Sequence, residues 1–353
     1  MRARLGRTAI IATIVLAGMS LAACGPAEAP TPPPVTATVE PDAKVTAPEP
    51  PVLEFWPLTG LDAPADAPIR PALSVKIENS TSARPQTGLD SADIVWEQIV
   101  EGGISRYIAV YHSQVPDIVG PVRSVRPMDP NIIKPMGGLF AFSGGQAHYV
   151  AAVEAAGIQI VSSDRGDGGY FRSNQHAAPH NMYANTPELF GQADPAHSTP
   201  PPPQFEYGMT LNEATAVTTG APAAVVDVFL TGIANPNWTW DAGRGQWLRA
   251  EKSVPATTPE GTQLGATNVV VLRVELVNTA DTDAIGSPVP ETIIISSGEA
   301  LVATGGHTIP ATWSKTSAED VVTLTGPDGQ PILLAPGNTW IELMPSNGHW
   351  TVS

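Results

Sequence analysis

Only one cysteine occurs in the 353-residue chain, at position 24. Without a second thiol there is no intramolecular disulfide, no thiolate metal cluster and no dithiol exchange. Basic residues are also scarce, 18 Lys and Arg against 34 Asp and Glu, giving a formal net charge of −16. That balance argues against nucleic acid as a partner, because phosphate backbones are held by clustered cations. The seven histidines form no H-E-x-x-H or comparable cluster, so no metal site is expected. P-loop, dinucleotide and G-x-S-x-G signatures are missing too, and no cofactor is implied.

What is present begins at the amino terminus. Arg2, Arg4 and Arg7 form a positive region ahead of the apolar stretch Thr8 to Ala17, which is too short to cross a bilayer comfortably. Leu21-Ala22-Ala23-Cys24 follows and is similar to a bacterial lipobox, in which the cysteine is acylated and becomes the new first residue. The alternatives are an ordinary signal peptide cut near Ala23, or an uncleaved anchor. Removing residues 1–23 deletes three arginines and no acid, so the mature chain is more acidic still.

Composition divides the remainder. Residues 24–56 carry the lipidated cysteine and a Pro-rich tether with no core pattern, a composition that favours extended polyproline II. Residues 193–204 contain four consecutive prolines and read as a linker, or as an excursion within a single domain. The sequence thus predicts an α+β protein: a mixed α/β N-terminal domain at 57–192 and a mainly β C-terminal domain at 205–353. In the first, Ala72 to Glu78 and Ile158 to Val161 read as strands, Gly145 to Ala156 as a helix, and Pro187 to Phe190 as one helical turn. In the second, short β-branched runs separated by Gly turns predict a small sheet or barrel.

Asp93 to Tyr111 is the most informative stretch. Two β-rich runs flank Gly102-Gly103, which reads as a two-residue hairpin turn. That register sets Glu101 opposite Ile104 and Ile99 opposite Arg106, and it places Arg106 between Glu97 and Glu101 on one face. Glu78, Glu97, Glu101 and Arg106 are then either an ion-pair cluster or an acidic binding or catalytic site. Arg123 and Arg126, in G-P-V-R-S-V-R-P, suit an anion by their forked geometry, or pair internally with Glu97 and Glu101. Ser143-Gly144-Gly145 precedes the predicted helix, and such a helix start can hold an anion or be a simple cap. His180 and Asn181 follow Pro179; the histidine is a candidate base or a loop residue bonded to local backbone. Trp238, Trp240 and Trp247 read as cross-strand packing, with a sugar-stacking platform as the alternative.

A series of short segments resembles the YerB-type lipoproteins, a family whose shared region has no described function. It includes Pro57-Leu58-Thr59-Gly60, Val75-Lys76-Ile77-Glu78-Asn79 and Ala83-Arg84-Pro85-Gln86-Thr87-Gly88. It continues through Glu101-Gly102-Gly103-Ile104-Ser105-Arg106, Gly120-Pro121-Val122-Arg123-Ser124-Val125-Arg126 and Ala178-Pro179-His180-Asn181-Met182-Tyr183. In the second half it ends with Pro336-Gly337-Asn338-Thr339-Trp340-Ile341-Glu342. The resemblance implies two linked domains and a lipoprotein location, and no established reaction.

The sequence therefore points to a lipid-anchored protein on the outer face of the cytoplasmic membrane. Its expected partners are the membrane, through the anchor, and a cell-wall polymer or membrane-associated protein. The expected role is binding or accessory, with an envelope hydrolase and a protein scaffold as the rivals. Replacing Cys24 by Ser should move the mature product from the membrane pellet to the soluble fraction of broken cells. An unchanged distribution on immunoblots rules out acylation as the anchor.

Overall fold

Alternating side chains build the central sheet, and both faces of its inner strands are apolar because both are covered. In the first half the strands are Leu73–Glu78 (β1), Ile94–Ile99 (β2), Ser105–Tyr111 (β3), Leu139–Phe142 (β4) and Gln159–Ser162 (β5). The second half adds Asn268–Thr282 (β6), Pro288–Ile293 (β7), Ser296–Thr304 (β8), His307–Lys315 (β9) and Thr339–Pro345 (β10). This computed structural model describes residues 53–353, which lie within one compact unit. The signal segment, Cys24 and the tether up to residue 52 lie outside the described residues.

The main path of the sheet runs β9-β8-β6-β10-β2-β3-β1-β4-β5. Strand β10 lies parallel to both β2 and β6, with Glu97 beside Glu342 and Val271 also beside Glu342. The β strands of the second half thus continue the sheet begun in the first, instead of closing a barrel of their own. A separate six-stranded sheet, including Val225–Phe229, Pro236–Asp241, Gln246–Glu251 and His349–Val352, accounts for the small sheet expected there. The fold is α+β with little helix.

Two apolar clusters flank the central sheet. On one side Ile94, Trp96, Ile108, Phe140 and Ile341 pack with Ile132 and Ile133 of the short helix Asp129–Ile133 (α1), and with Tyr149 and Val153 of Ala147–Ala155 (α2). On the other, Val75, Val95, Tyr107, Val271 and Trp340 pack with Val226, Trp238 and Trp247 of the smaller sheet. Trp238 and Trp247 are fully buried, so packing and not a sugar platform is their role. The amino-terminal edge of the described chain is also held: Trp56 is buried, with its ring 5.2 Å from that of His112.

The β2–β3 hairpin departs from the predicted register by one residue. The backbone N–H of Val100 bonds to the carbonyl of Ile104 at 2.9 Å, so the loop is Glu101-Gly102-Gly103, with both glycines at positive φ. Gln98 faces Arg106 and Ile99 faces Ser105. Because side chains alternate, this slip moves Arg106 to the face opposite Glu97.

Parallel entry of β4 beside β1 depends on Gly137-Gly138. Both glycines have positive φ, and a Cβ on Gly138 would lie 2.2 Å from the carbonyl oxygen of Ala72, whereas one on Gly137 meets nothing within 4 Å. Gly137→Ala should therefore cost only the left-handed backbone penalty of about 1–2 kcal/mol. Gly138→Ala should cost clearly more, as read from midpoints of urea unfolding; equal midpoints contradict the close approach.

Candidate functional site

The β1–β3 pairing sets Glu78 directly across from Arg106, and both are buried. On this face a run of charged groups continues toward the loop that follows β3. Glu78 holds the centre of one half. Its Oε1 accepts from Ser80 Oγ at 2.7 Å and lies 2.8 Å from Nδ1 of His180; its Oε2 lies 2.9 Å from Arg123 Nε. Glu101 holds the other half: its Oε1 is 2.6 Å from Arg126 Nε, and its Oε2 accepts from Arg126 Nη2 at 2.7 Å, a two-point contact. Although Glu101 is an even number of residues from Glu97, the turn breaks the alternation and delivers it to the Arg106 face.

Beneath these pairs lies a buried anchor. Lys76 Nζ contacts Asp129 Oδ1 at 2.7 Å, Gln98 donates to the same oxygen at 2.5 Å, and the backbone N–H of Arg126 donates to Oδ2 at 2.7 Å. Burial lowers the Lys76 ammonium to about 8, against the pull of Asp129. Asp129 thereby fixes the loop carrying Arg123 and Arg126 to the floor of the sheet. Sequence reasoning overlooked this pair, although a Lys between apolar neighbours in a strand (Val75-Lys76-Ile77) is the available signal.

Glu101, Arg106, Arg123 and Arg126 line an open cleft of about 720 Å³. Gly145 and Gln146, at the amino end of α2, form another wall, and residues 282–287, at the tip of the β6–β7 ribbon, form a third. The ribbon is fastened to α2, since Tyr149 Oη donates to Asp281 at 2.6 Å and Gln146 Nε2 to the Thr282 carbonyl at 3.1 Å. Arg106 is the odd member of the arginine group. Its Nη1 donates to the Ser124 carbonyl at 3.0 Å, yet its buried Nε has no acceptor. Burial, and then the neighbouring Arg126, lower its guanidinium to about 9.

The other predicted site residues lie beside the cleft or away from it. Ser143 Oγ accepts from Ser163 Oγ at 3.1 Å and its carbonyl accepts from Ser124 Oγ at 2.9 Å, so it braces the loop and has no histidine partner. His180 reaches Glu78 but is not part of the cleft lining. Asn181 turns aside: its Oδ1 accepts from Arg172 at 2.7 Å and its Nδ2 donates to the Ser173 carbonyl at 3.3 Å.

Glu97 belongs to a different cluster, on the opposite face. Arg249 Nη2 donates to its Oε2 at 2.6 Å, and Ser105 and Asn79 donate to its Oε1 at 2.5 and 3.2 Å. The Arg249 guanidinium is sandwiched among Tyr107, Trp238 and Trp340, 5.3–5.9 Å from the ring centroids. Glu342 completes the group, accepting from Trp238 Nε1 at 3.0 Å. Burial, and then the charge of Glu97, raise the Glu342 carboxyl well above its ordinary range. Burial opposes ionisation of Glu97 as well, but Arg249 and its hydrogen-bond donors overcome that penalty and hold it below the usual value. Within the pair, Glu97 is therefore the member favoured as the carboxylate and Glu342 the one that holds its proton more tightly, while Arg249 also lies 3.3 Å from Glu251.

Residues 58–199 match the N-terminal domain of the DUF3048 family of proteins of unknown function, and residues 225–341 match its C-terminal domain. The chain belongs to this YerB-type, two-part family. A curated relative from Bacillus subtilis (strain 168), "Putative lipoprotein YerB", is 26% identical over 298 residues, covering 82% of this chain and 86% of that protein. The crystal structure of the YerB protein from Bacillus subtilis superposes with a TM-score of 0.71 at 23% identity, over 84% of this chain and 99% of that one. That likeness establishes the shared fold of the family.

Glu342→Gln should be tolerated, since an amide imitates the protonated acid; the expected loss at pH 7 is below about 1 kcal/mol. Glu97→Gln should cost clearly more, up to roughly 3–5 kcal/mol, because the buried Arg249 then keeps only its longer, 3.3 Å contact with Glu251. The folded state keeps the Glu342 proton above the pH at which the unfolded chain loses it. Stability should therefore fall as pH rises beyond the ordinary carboxyl range, and less so in Glu342→Gln. Equal urea midpoints for both variants contradict this assignment.

Proposed function

We propose that the protein is a lipid-anchored lipoprotein of the cell envelope, on the outer face of the cytoplasmic membrane, which binds an anionic envelope component and acts there as a binding or accessory factor. The lipobox-like segment ending in Cys24 and the name of the Bacillus relative support the anchor. The observation that carries the binding role is the arginine cleft. A chain with a net charge of −16 repels anions in general, yet it gathers Arg106, Arg123 and Arg126 in one open recess. Charge of that sign, concentrated against the overall field, has a local purpose.

Catalysis has weaker support. The envelope-hydrolase reading needs Glu97 or Glu101 to converge with Arg123 and His180 in one pocket. Glu97 is buried on the other face, and His180 is engaged by Glu78 outside the cleft lining. Glu101 is occupied by Arg126 on both oxygens.

The test is capture of the soluble chain from Gly25 to Ser353 by purified wall fragments and by membrane-embedded anionic polymer. Wild type should be retained, and Arg123→Ala/Arg126→Ala should be retained several-fold less. Equal retention of the two, or release of soluble wall products by the wild type, overturns the reading.

A further inference from the structure

The cleft holds more than a loose positive charge. Arg106 is 6% exposed and lines the recess, and its Nε, itself closed to solvent, finds no acceptor. The Nε atoms of Arg123 and Arg126 lack a well-aligned acceptor too, but each stands against a carboxylate, at 2.9 and 2.6 Å, and Arg106 has no such contact. Leaving a buried guanidinium donor unpaired is costly, more so for a charged group than a neutral one. Arginine does not relieve that cost by losing its proton near neutral pH. An oxyanion in the recess that Arg106 lines supplies the countercharge that the chain does not place against this guanidinium.

A second donor set opens on the same recess. Helix α2 spans Ala147–Ala155, its N-cap is Gln146, and no side chain caps it. The N–H groups of Ala147 and His148 have no backbone acceptor, while that of Tyr149 turns back to the Gln146 carbonyl at 3.0 Å, and such a helix end carries about half a positive charge. Gly144 and Gly145, both at positive φ, bring the chain into the helix so that Gly145 and Gln146 line the cleft with Arg106. The negative groups are accounted for: Glu101 is committed to Arg126, and Asp283, at the ribbon tip, accepts from the backbone N–H groups of Ile285 and Ser287.

We propose that Arg106 and the amino end of α2 form a seat for a single oxyanion, a phosphate ester or a carboxylate, which is the part of the envelope ligand that the cleft recognises. The forked guanidinium supplies directed donors and the helix end supplies backbone N–H groups. Arg123 and Arg126, each already paired, hold the rim. This inference rests on the envelope-binding reading and names the chemical group involved.

The test uses the Gly25–Ser353 chain and three probes at constant ionic strength: inorganic phosphate, glycerophosphoglycerol and acetate. Binding is followed by amide resonances of Gly145, Gln146 and Ala147 in a ¹⁵N-labelled sample. A saturable shift with either phosphate probe assigns a phosphate source, and one with acetate alone assigns a carboxylate; either supports the seat. Arg106→Lys keeps the charge but loses the fork, and it should weaken binding by roughly tenfold or more, the worth of one charge-assisted hydrogen bond. Should that variant fail to fold by circular dichroism, Arg106→Gln in the presence of the probes and the partly exposed Arg123→Gln carry the comparison: Arg123→Gln should weaken binding far less than any folded Arg106 variant. Unsaturable shifts, or equal affinity in wild type and the Arg106 variants, overturn the seat. If wall fragments are captured while no probe saturates these amides, this inference fails and the broader reading stands; the reverse result sinks only the latter.

Discussion

Everything in this molecule depends on one strand of the second half being accepted between two others. Thr339–Pro345 pairs in parallel with Ile94–Ile99 on one side and Asn268–Thr282 on the other. Its backbone groups complete two ladders that would otherwise be open edges, and its apolar side chains feed both cores. Trp340 packs toward the smaller sheet while Ile341 and Leu343 pack toward the helices. The same strand carries Glu342 to Glu97. A buried carboxyl pair is tolerable only because one member is protonated and Arg249 neutralises the other.

That insertion separates two sets of charges that look alike in the sequence. One set, around Arg249, is closed to solvent, wrapped by aromatic rings and paired with carboxylates of the chain itself. The other, around Arg106, opens on a recess. The first fixes how the halves of the chain meet. The second is where an outside group can be recognised. The Lys76–Asp129 contact connects the two tasks, since it seats the arginine-bearing loop on the floor of the same sheet.

Much of the fold was legible because local patterns matched the outcome. Leu73–Glu78 and Ala147–Ala155 appear within a residue or two of where periodicity and turn residues put them. The Gly102-Gly103 turn misled for a physical reason. Two adjacent glycines at positive φ suit a two-residue turn, but here the loop also takes Glu101, and one extra residue reverses every side chain beyond it. Arg106 was therefore expected on one face with Glu78, Glu97 and Glu101, of which Glu97 lies on the other face, and its grouping with Arg123 and Arg126 in one cleft was not foreseen. Arg249 and Glu342 were not legible, because their partner lies far away in sequence and meets them only after the last sheet strand is in place.

The order of strands has a consequence for how the chain reaches this state. Synthesis runs from the first residue onward, yet the strand that closes the middle of the sheet is the last of its strands to emerge. Until it arrives, β2 presents a bare hydrogen-bonding edge flanked by apolar surface, a template for mispairing with other chains. Completion is thus a late event, and the sheet closes as a whole only once the last of its strands is free to pair.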